Sequence, residues 1–246
     1  MSQPDDLAFD ISVCIHADEI VREEVVIWGV QPVGLKPLRR LDDGSLRSAM
    51  IDLPAGWSSG TPISLASTQQ IALLSGDVKF GDETVGSGAF LVVPAGADMP
   101  VMTALDDSCL ILIQDKGQAF DKASGANCRP TVIADAMTIE PFTPIIDGVP
   151  LHGFERRVLW IDPETGADTR LLRVPAGFQG AGANWHPVQE EIFCLEGDIQ
   201  PDDTRPMRVG SFLWNPARSI HGFNEVTRGG CVLLEWHDGK WDLIRS

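Results

Sequence analysis

The sequence predicts an all-β protein made of two tandem jelly-roll domains, and three observations carry that expectation. The first is punctuation. With 24 Gly and 17 Pro among 246 residues, turns are frequent along the chain, which favours strands over long helices. The second is the length of the apolar runs. Ile71-Ala-Leu-Leu, Ala89-Phe-Leu-Val-Val, Arg170-Leu-Leu-Arg-Val, Ile192-Phe-Cys-Leu and Cys231-Val-Leu-Leu are bounded by turn signals. Such runs are too short for helices and suit buried strands of a double-sheet fold.

The third observation is an internal duplication. Leu53-Pro-Ala-Gly-Trp57 recurs as Val174-Pro-Ala-Gly-Phe178, and Leu74-Ser-Gly-Asp-Val78 as Leu195-Glu-Gly-Asp-Ile199. Gly88-Ala-Phe-Leu-Val-Val-Pro94 recurs as Gly210-Ser-Phe-Leu-Trp-Asn-Pro216, and Cys109-Leu-Ile-Leu-Ile113 as Cys231-Val-Leu-Leu-Glu235. The landmarks reappear 121 or 122 residues later, far beyond a solenoid period, so a whole domain is duplicated. The polar, Gly-rich stretch after Asp115, reaching to about Met137, marks the join. Residues 1–130 and 131–246 are the expected domains, the second copy starting near Pro141. Thr131–Met137 is expected as a connecting strand or a short helical turn.

Composition narrows the function classes. The net charge is −16 and the pI is near 4.5. Such a field repels phosphate backbones and anionic lipid, which argues against nucleic-acid and membrane partners. A hydrophobic content of 43% is enough for a full core. The N-terminal Met1-Ser-Gln-Pro-Asp-Asp-Leu has no basic, apolar leader pattern. No stretch approaches the roughly 20 apolar residues that cross a bilayer. The five cysteines (Cys14, Cys109, Cys128, Cys194 and Cys231) are odd in number, widely spaced and without a C-x-x-C, as reduced thiols of a cytoplasmic protein are.

The chemistry is concentrated in the second copy. Only five histidines are present, and His186, Glu190 and His221 fall in two short stretches rich in Gly and Pro. Two imidazoles and a carboxylate can hold a divalent metal and leave other positions open, a set that suits Fe(II), Mn(II), Ni(II) or Zn(II). His186-x3-Glu190-x6-Gly197 followed by Gly210-x5-Pro216-x4-His221 resembles the two signature motifs of the cupin superfamily. The paired layout, with Val174-Pro-Ala-Gly, Phe193-Cys-Leu-Glu-Gly and Gly230-Cys-Val-Leu-Leu, looks most like the bicupins related to the ChrR anti-sigma-factor cupin domain. Three departures are visible: Phe178 at the opening Gly, Arg218 at the middle Gly of the second motif, and Asn224 one residue early.

The resemblance implies two β-barrels with a metal pocket inside. It places the second, third and fourth ligands on His186, Glu190 and His221, and the first on Asn184, whose amide oxygen is an optional fourth ligand. Asn184 and His186 are two residues apart and share a strand face. In the first copy the same alignment gives Ile63, Leu65, Gln69 and Met99, so that barrel is expected to be metal-free, packed shut or a scaffold.

Further expectations concern the surroundings. Glu235 shares a strand face with Cys231, Leu233 and His237; if that face points inward, Glu235 or His237 could act as a general acid or base. For His237, a strand end emerging into solvent is the favoured reading. Phe193, Phe212, Trp214 and Phe223 are candidate pocket walls, although ordinary core packing is the better bet for each taken singly. Arg218 is a candidate partner for a substrate carboxylate at the rim, although an exposed loop arginine is the commoner case. His16 and His152 are read as surface or structural, and Pro201-Asp-Asp-Thr as a solvated turn. Together these point to a metal-dependent enzyme acting on a small organic molecule, with dioxygenase-type cleavage of a ketone or diketone favoured. Lewis-acid isomerisation, elimination or hydrolysis, and a non-catalytic sensing cupin, are the alternatives. An anti-sigma role would need a separate zinc-binding helical segment, for which the cysteines and histidines show no pattern. The family resemblance also implies a homodimer.

Overall fold

The computed structural model describes residues 8–9, 12–29, 31–115, 129–146, 148–201 and 205–245. The linker after Asp115, Cys128 and most of the acidic turn after Pro201 lie outside them. Among the described residues helix is confined to two 3-10 turns, Ala17–Glu19 and Ala136–Thr138, and no helix is long and apolar enough to cross a membrane. The all-β expectation holds.

The chain divides into two compact units, Ile20–Thr138 and a second that joins the residues up to Glu19 to Ile139–Ser246. In the first, the main sheet runs Thr131–Ile133, Phe90–Val93, Gln69–Ser75, Ser108–Gln114, Leu46–Leu53, Val33–Arg40 and Glu23–Val25. In the second it runs Val13–His16, Ser211–Asn215, Glu190–Ile199, Cys231–His237, Asp168–Val174 and Glu155–Ile161. The two orders match strand for strand over six positions, and all neighbours are antiparallel.

The match corrects the expected boundaries of 1–130 and 131–246. Thr131–Ile133 closes the first sheet on Phe90–Val93, although it stands in the chain just before the second copy. Val13–His16 plays the equivalent part in the second sheet, pairing with Ser211–Asn215, although it stands just before the first copy. Each edge strand is followed by one of the 3-10 turns, so the predicted strand or helical turn over Thr131–Met137 is both in succession.

Polar contacts, one of them buried, hold the N-terminal strand in place. His16 Nδ1 is 2.6 Å from Ser211 Oγ, and Arg205 Nε donates to His16 Nε2 at 3.2 Å. The tautomer follows: Nε2 is the acceptor, so Nδ1–H donates to the serine. Arg208 pairs with Asp18 at 2.8 Å, and Arg205 also pairs with Glu19. His16 is therefore structural, while His152 is exposed.

The first unit fills its interior with side chains. Trp28 and Trp57, both essentially inaccessible, meet edge to face with centroids 6.3 Å apart. Leu65 and Met99 belong to the same apolar core, and Ile63 packs against it. Gln69, at the position of the carboxylate ligand, accepts from Trp28 Nε1 at 2.8 Å and donates to Gln114 Oε1 at 3.1 Å. A primary amide carries both donor and acceptor, and Gln114 Nε2 ends the row on the Leu46 carbonyl at 3.1 Å.

In the second unit, Gly197 ends the sharp approach of two strands. Its φ is +71°, and a Cβ there would lie 2.0 Å from the Gly230 carbonyl oxygen. No other residue meets both conditions. Arg218, at the motif position usually held by Gly, keeps the left-handed backbone at φ +66°. The loop shape survives the substitution, at an expected cost of about 1 kcal/mol.

The topology predicts unequal independence. A fragment of residues 20–138 contains every strand of its sheet and is expected to unfold cooperatively. A fragment of residues 139–246 lacks the strand on Ser211–Asn215 and is expected to melt well below it or aggregate. A synthetic peptide of residues 8–19 should restore its melting. Calorimetry of the three samples checks this, and an equally stable 139–246 fragment without peptide would count against it.

Candidate metal centre

Four adjacent strands of the second unit bring one polar side chain each into a single row. In register, Asp168 faces His237, His237 faces Glu190 and Glu190 faces Asn215. The side chains connect in the same order. His237 Nδ1 is 2.7 Å from Asp168 Oδ1, and His237 Nε2 is 3.1 Å from Glu190 Oε1. Asn215 Nδ2 donates to Glu190 Oε2 at 2.8 Å.

Two further histidines reach the carboxylate from loops. His186 follows the short strand Asn184–Trp185, and its Nε2 lies 3.1 Å from Glu190 Oε2. His221 Nε2 lies 3.8 Å from the same oxygen. One ligand atom from each of His186, Glu190 and His221 falls within 4.8 Å of the others. The backbones of Asn184 and His221 exchange two hydrogen bonds of 2.9 Å, so Asn184 fixes the His221 loop through its main chain. Its side chain lines the adjoining cavity, where it remains a candidate ligand.

The hydrogen inventory shows why a cation fits. His186 Nδ1 is 2.6 Å from the Val188 carbonyl and His221 Nδ1 is 3.0 Å from the Ser219 carbonyl. A carbonyl only accepts, so each neutral ring spends its single hydrogen there. His237 Nδ1 faces both the Asp168 carboxylate at 2.7 Å and the Arg170 guanidinium at 2.9 Å. With neutral rings, the Nε2 atoms of His186 and His221 are thus turned toward one carboxylate oxygen with no hydrogen left to join them. Asn215 Oδ1 is buried there without a donor. A divalent ion or extra protons can hold such acceptors together, and imidazole plus carboxylate is a fitting ligand set.

Charge points the same way. Glu190 and Glu235 are 6% and 4% exposed. Burial alone would raise the Glu190 carboxyl, but the charges and hydrogen bonds of His186 and His237 hold it well below the usual carboxylate range. His186 is raised in turn: burial opposes its charged form, and Glu190 more than compensates. Glu235 is raised by burial and by Glu190, while Arg170 and Arg156 work the other way.

The centre opens on a cavity of about 330 Å³. Glu190, His221, Asn215, Glu235 and Glu225 line its polar side, and Phe154, Phe178, Leu172 and Leu213 its apolar side. This places Glu235 at the cavity, as its strand face required. His237 is 2% exposed and lies in the row, not in solvent. The strand Cys231–His237 is buried along its whole length because a strand flanks it on each side. Phe193, Phe212 and Trp214 are not among the lining residues. They alternate with Glu190, Ile192, Leu213 and Asn215 and so occupy the other face, where Phe212 stacks near Trp236 at 6.0 Å. Phe223 also lies outside the lining set. The cavity aromatics are Phe154, Phe178 and Trp241 instead. Sequence reasoning also missed Asp168, Arg170 and Asn215, which stand on other strands and join Glu190 and Glu235 only through cross-strand register.

The free cysteines are structural. Cys194 and Cys231 sit in the apolar core, and burial pushes their thiols up to about 11 and about 12.

Glu225 supplies a pH test. Burial, with Glu190 and Glu235 nearby, pushes its carboxyl from 4.5 up to about 8. Below 4.5 folded and unfolded chains both hold the proton. Between 4.5 and about 8 the folded chain keeps it and the unfolded chain loses it, so stability falls as pH rises. Glu225→Gln should remove up to roughly 1 kcal/mol per pH unit of that slope. Urea melts of the metal-free protein across this range measure it, and an unchanged slope contradicts the assignment.

Solved structures share this architecture. A candidate dioxygenase from Nostoc punctiforme superposes with a TM-score of 0.81 at 14% identity, covering 96% of this chain and 86% of that one. Protein Ylba from E. coli gives a TM-score of 0.63 at 14% identity, covering 94% and 93%. A point mutant of Bacillus subtilis oxalate decarboxylase gives 0.60 at 13% identity, covering 94% and 78%. The shared fold is the tandem cupin barrel. No curated protein sequence matches the chain. A family profile matches residues 39–244, most of the chain, and the protein belongs to that family, the Domain of unknown function DUF4437.

Proposed function

We propose that the second barrel is a metal-dependent catalytic centre for a small organic substrate, with His186, Glu190 and His221 holding one divalent ion. The observation that carries this reading is the convergence of His186 Nε2 and His221 Nε2, whose other ring nitrogens face carbonyls, on the buried Glu190 carboxylate at the wall of a cavity. The Bacillus subtilis oxalate decarboxylase that shares the fold has Mn(II) centres, which supports the class of cofactor without choosing the metal. Asn184 is the candidate for a further ligand. His237, pinned by Asp168, orients Glu190 from the far side, as groups behind metal ligands commonly do.

A bound divalent ion would supply Lewis acidity toward a carbonyl or enolate oxygen and, if it is iron, access to dioxygen chemistry. The chain supplies the rest. Phe154, Phe178 and Leu172 exclude water from the apolar side. Glu235, held toward its neutral form, can give or take a proton at the cavity wall. Cleavage of a C–C bond in a small ketone or diketone with dioxygen is the favoured reaction, in line with the candidate dioxygenase among the structural neighbours. A sensing role is the second reading, favoured if the protein binds metal and ligand without turnover.

Two measurements decide between these. Elemental analysis of protein purified without a nickel column should find about one divalent ion per chain, and His221→Ala should lower the occupancy at least tenfold. An unchanged metal content in that variant would sink the site. Oxygen uptake against a panel of β-diketones and aryl ketones should then be metal-dependent; stable binding with no uptake and no other product favours sensing.

A further inference from the structure

Two hydrogen-bond donors on the cavity wall have no acceptor. Arg156, on the outermost strand Glu155–Ile161, lines the cavity together with Trp241. Its guanidinium carbon is 4.9 Å from the Trp241 ring centroid. That of Arg170 is 4.7 Å from the same ring. The two arginines differ in one respect. Arg170 pairs with Asp168 at 3.1 Å and has Glu235 at 3.9 Å. Arg156 makes no ion pair among the described residues; its Nε, like that of Arg170, is buried without a hydrogen-bond partner. Trp241 Nε1 is buried and unpartnered in the same way. Burial and the charge of Arg170 act against the Arg156 cation, while the more distant Glu235, Asp168 and Glu190 favour it. Buried donors normally find acceptors, and a cation left unpaired in a cavity calls for an anion.

We propose that the cavity takes a small organic acid, its carboxylate received by Arg156 and Trp241 and its apolar body lying against Phe154, Phe178 and Leu213. A carboxylate presents two acceptor oxygens to the planar guanidinium and can take the indole N–H as well. Stacking on Trp241 holds the guanidinium in plane. Of the acids on the same wall, Glu225 is pushed up to about 8 and Glu235 is raised as well, so that Glu190, which faces the imidazoles, is the one held ionised. The volume of about 330 Å³ is at the small end for a ligand pocket and suits one ring or a short branched chain. This inference narrows the substrate class of the centre proposed above and rests on the cavity being its substrate pocket.

The test compares an acid with its neutral counterpart. Phenylpyruvate and phenylacetone share the aryl group and the ketone, and differ in the carboxylate. Calorimetric titration of the full chain, stripped of metal with EDTA, should show phenylpyruvate binding at least tenfold tighter. Arg156→Gln should bring the two within about twofold, Arg156→Lys should keep part of the preference, and Trp241→Phe should reduce it severalfold. Melting curves report whether each variant folds, and if Arg156→Gln does not, Arg156→Lys and Trp241→Phe decide. Equal binding of the two compounds by the wild type, or neither binding, overturns the inference. So does an undiminished preference in the folded variants. Because the titration is done without metal, its failure is separate from failure of the metal analysis, which bears on the centre itself.

Discussion

The second barrel is organised around the burial of one carboxylate. Glu190 sits in the middle of a cross-strand row from Asp168 to Asn215, and imidazoles approach both of its oxygens. Removing a charge from water is expensive unless opposite charge and hydrogen bonds replace the solvent. Much of the second unit can be read as that replacement. The sheet register lines up His237 and Asn215, the paired Asn184 and His221 backbones set one loop, and the Val188 carbonyl fixes the His186 ring. Aligning so many acceptors on one spot leaves a hole for positive charge, and the rest of the cavity is built beside it.

The first barrel solves the same geometric problem without charge. Its row runs Val93, Gln69, Gln114; Gln69 accepts from Trp28 and donates to Gln114, which donates in turn to the Leu46 carbonyl. A chain of amides that each both accept and donate needs no ion. One backbone thus carries a closed polar row in one copy and an open one in the other. The difference lies in a few inward positions, while the landmark turns are shared.

Legibility in the sequence followed the physics of each feature. The fold and the grouping of His186, Glu190 and His221 are readable because turns and residue spacing are local, and duplication shows the same pattern twice. The domain boundaries are not, because Val13–His16 and Thr131–Ile133 pair with strands far away in the chain and carry no repeated landmark. Phe193 and Phe212 fall to core packing, the better bet for each taken singly, for a simpler reason: once Glu190 points inward, Phe193 must point outward, and facing Phe212 goes with it. His237 reads as a strand end emerging into solvent because nothing local says that its strand is central. Arg156 and Trp241 could not be found at all, since their meeting depends on how an edge strand and the segment after the last strand close over the cavity.

The N-terminal strand adds a matter of timing. His16 and the serine it binds are 195 residues apart. On a ribosome adding about 5–20 residues per second, the strand waits for roughly ten to forty seconds before its partner emerges. Meanwhile the first barrel, contiguous from Ile20 to Thr138, can complete itself. A free strand with the apolar run Val13-Cys14-Ile15 is a hazard for stray pairing, and the acidic Asp18 and Glu19 beside it give it charge during that wait. Assembly of the second unit thereby waits on a strand made some 195 residues before its partner.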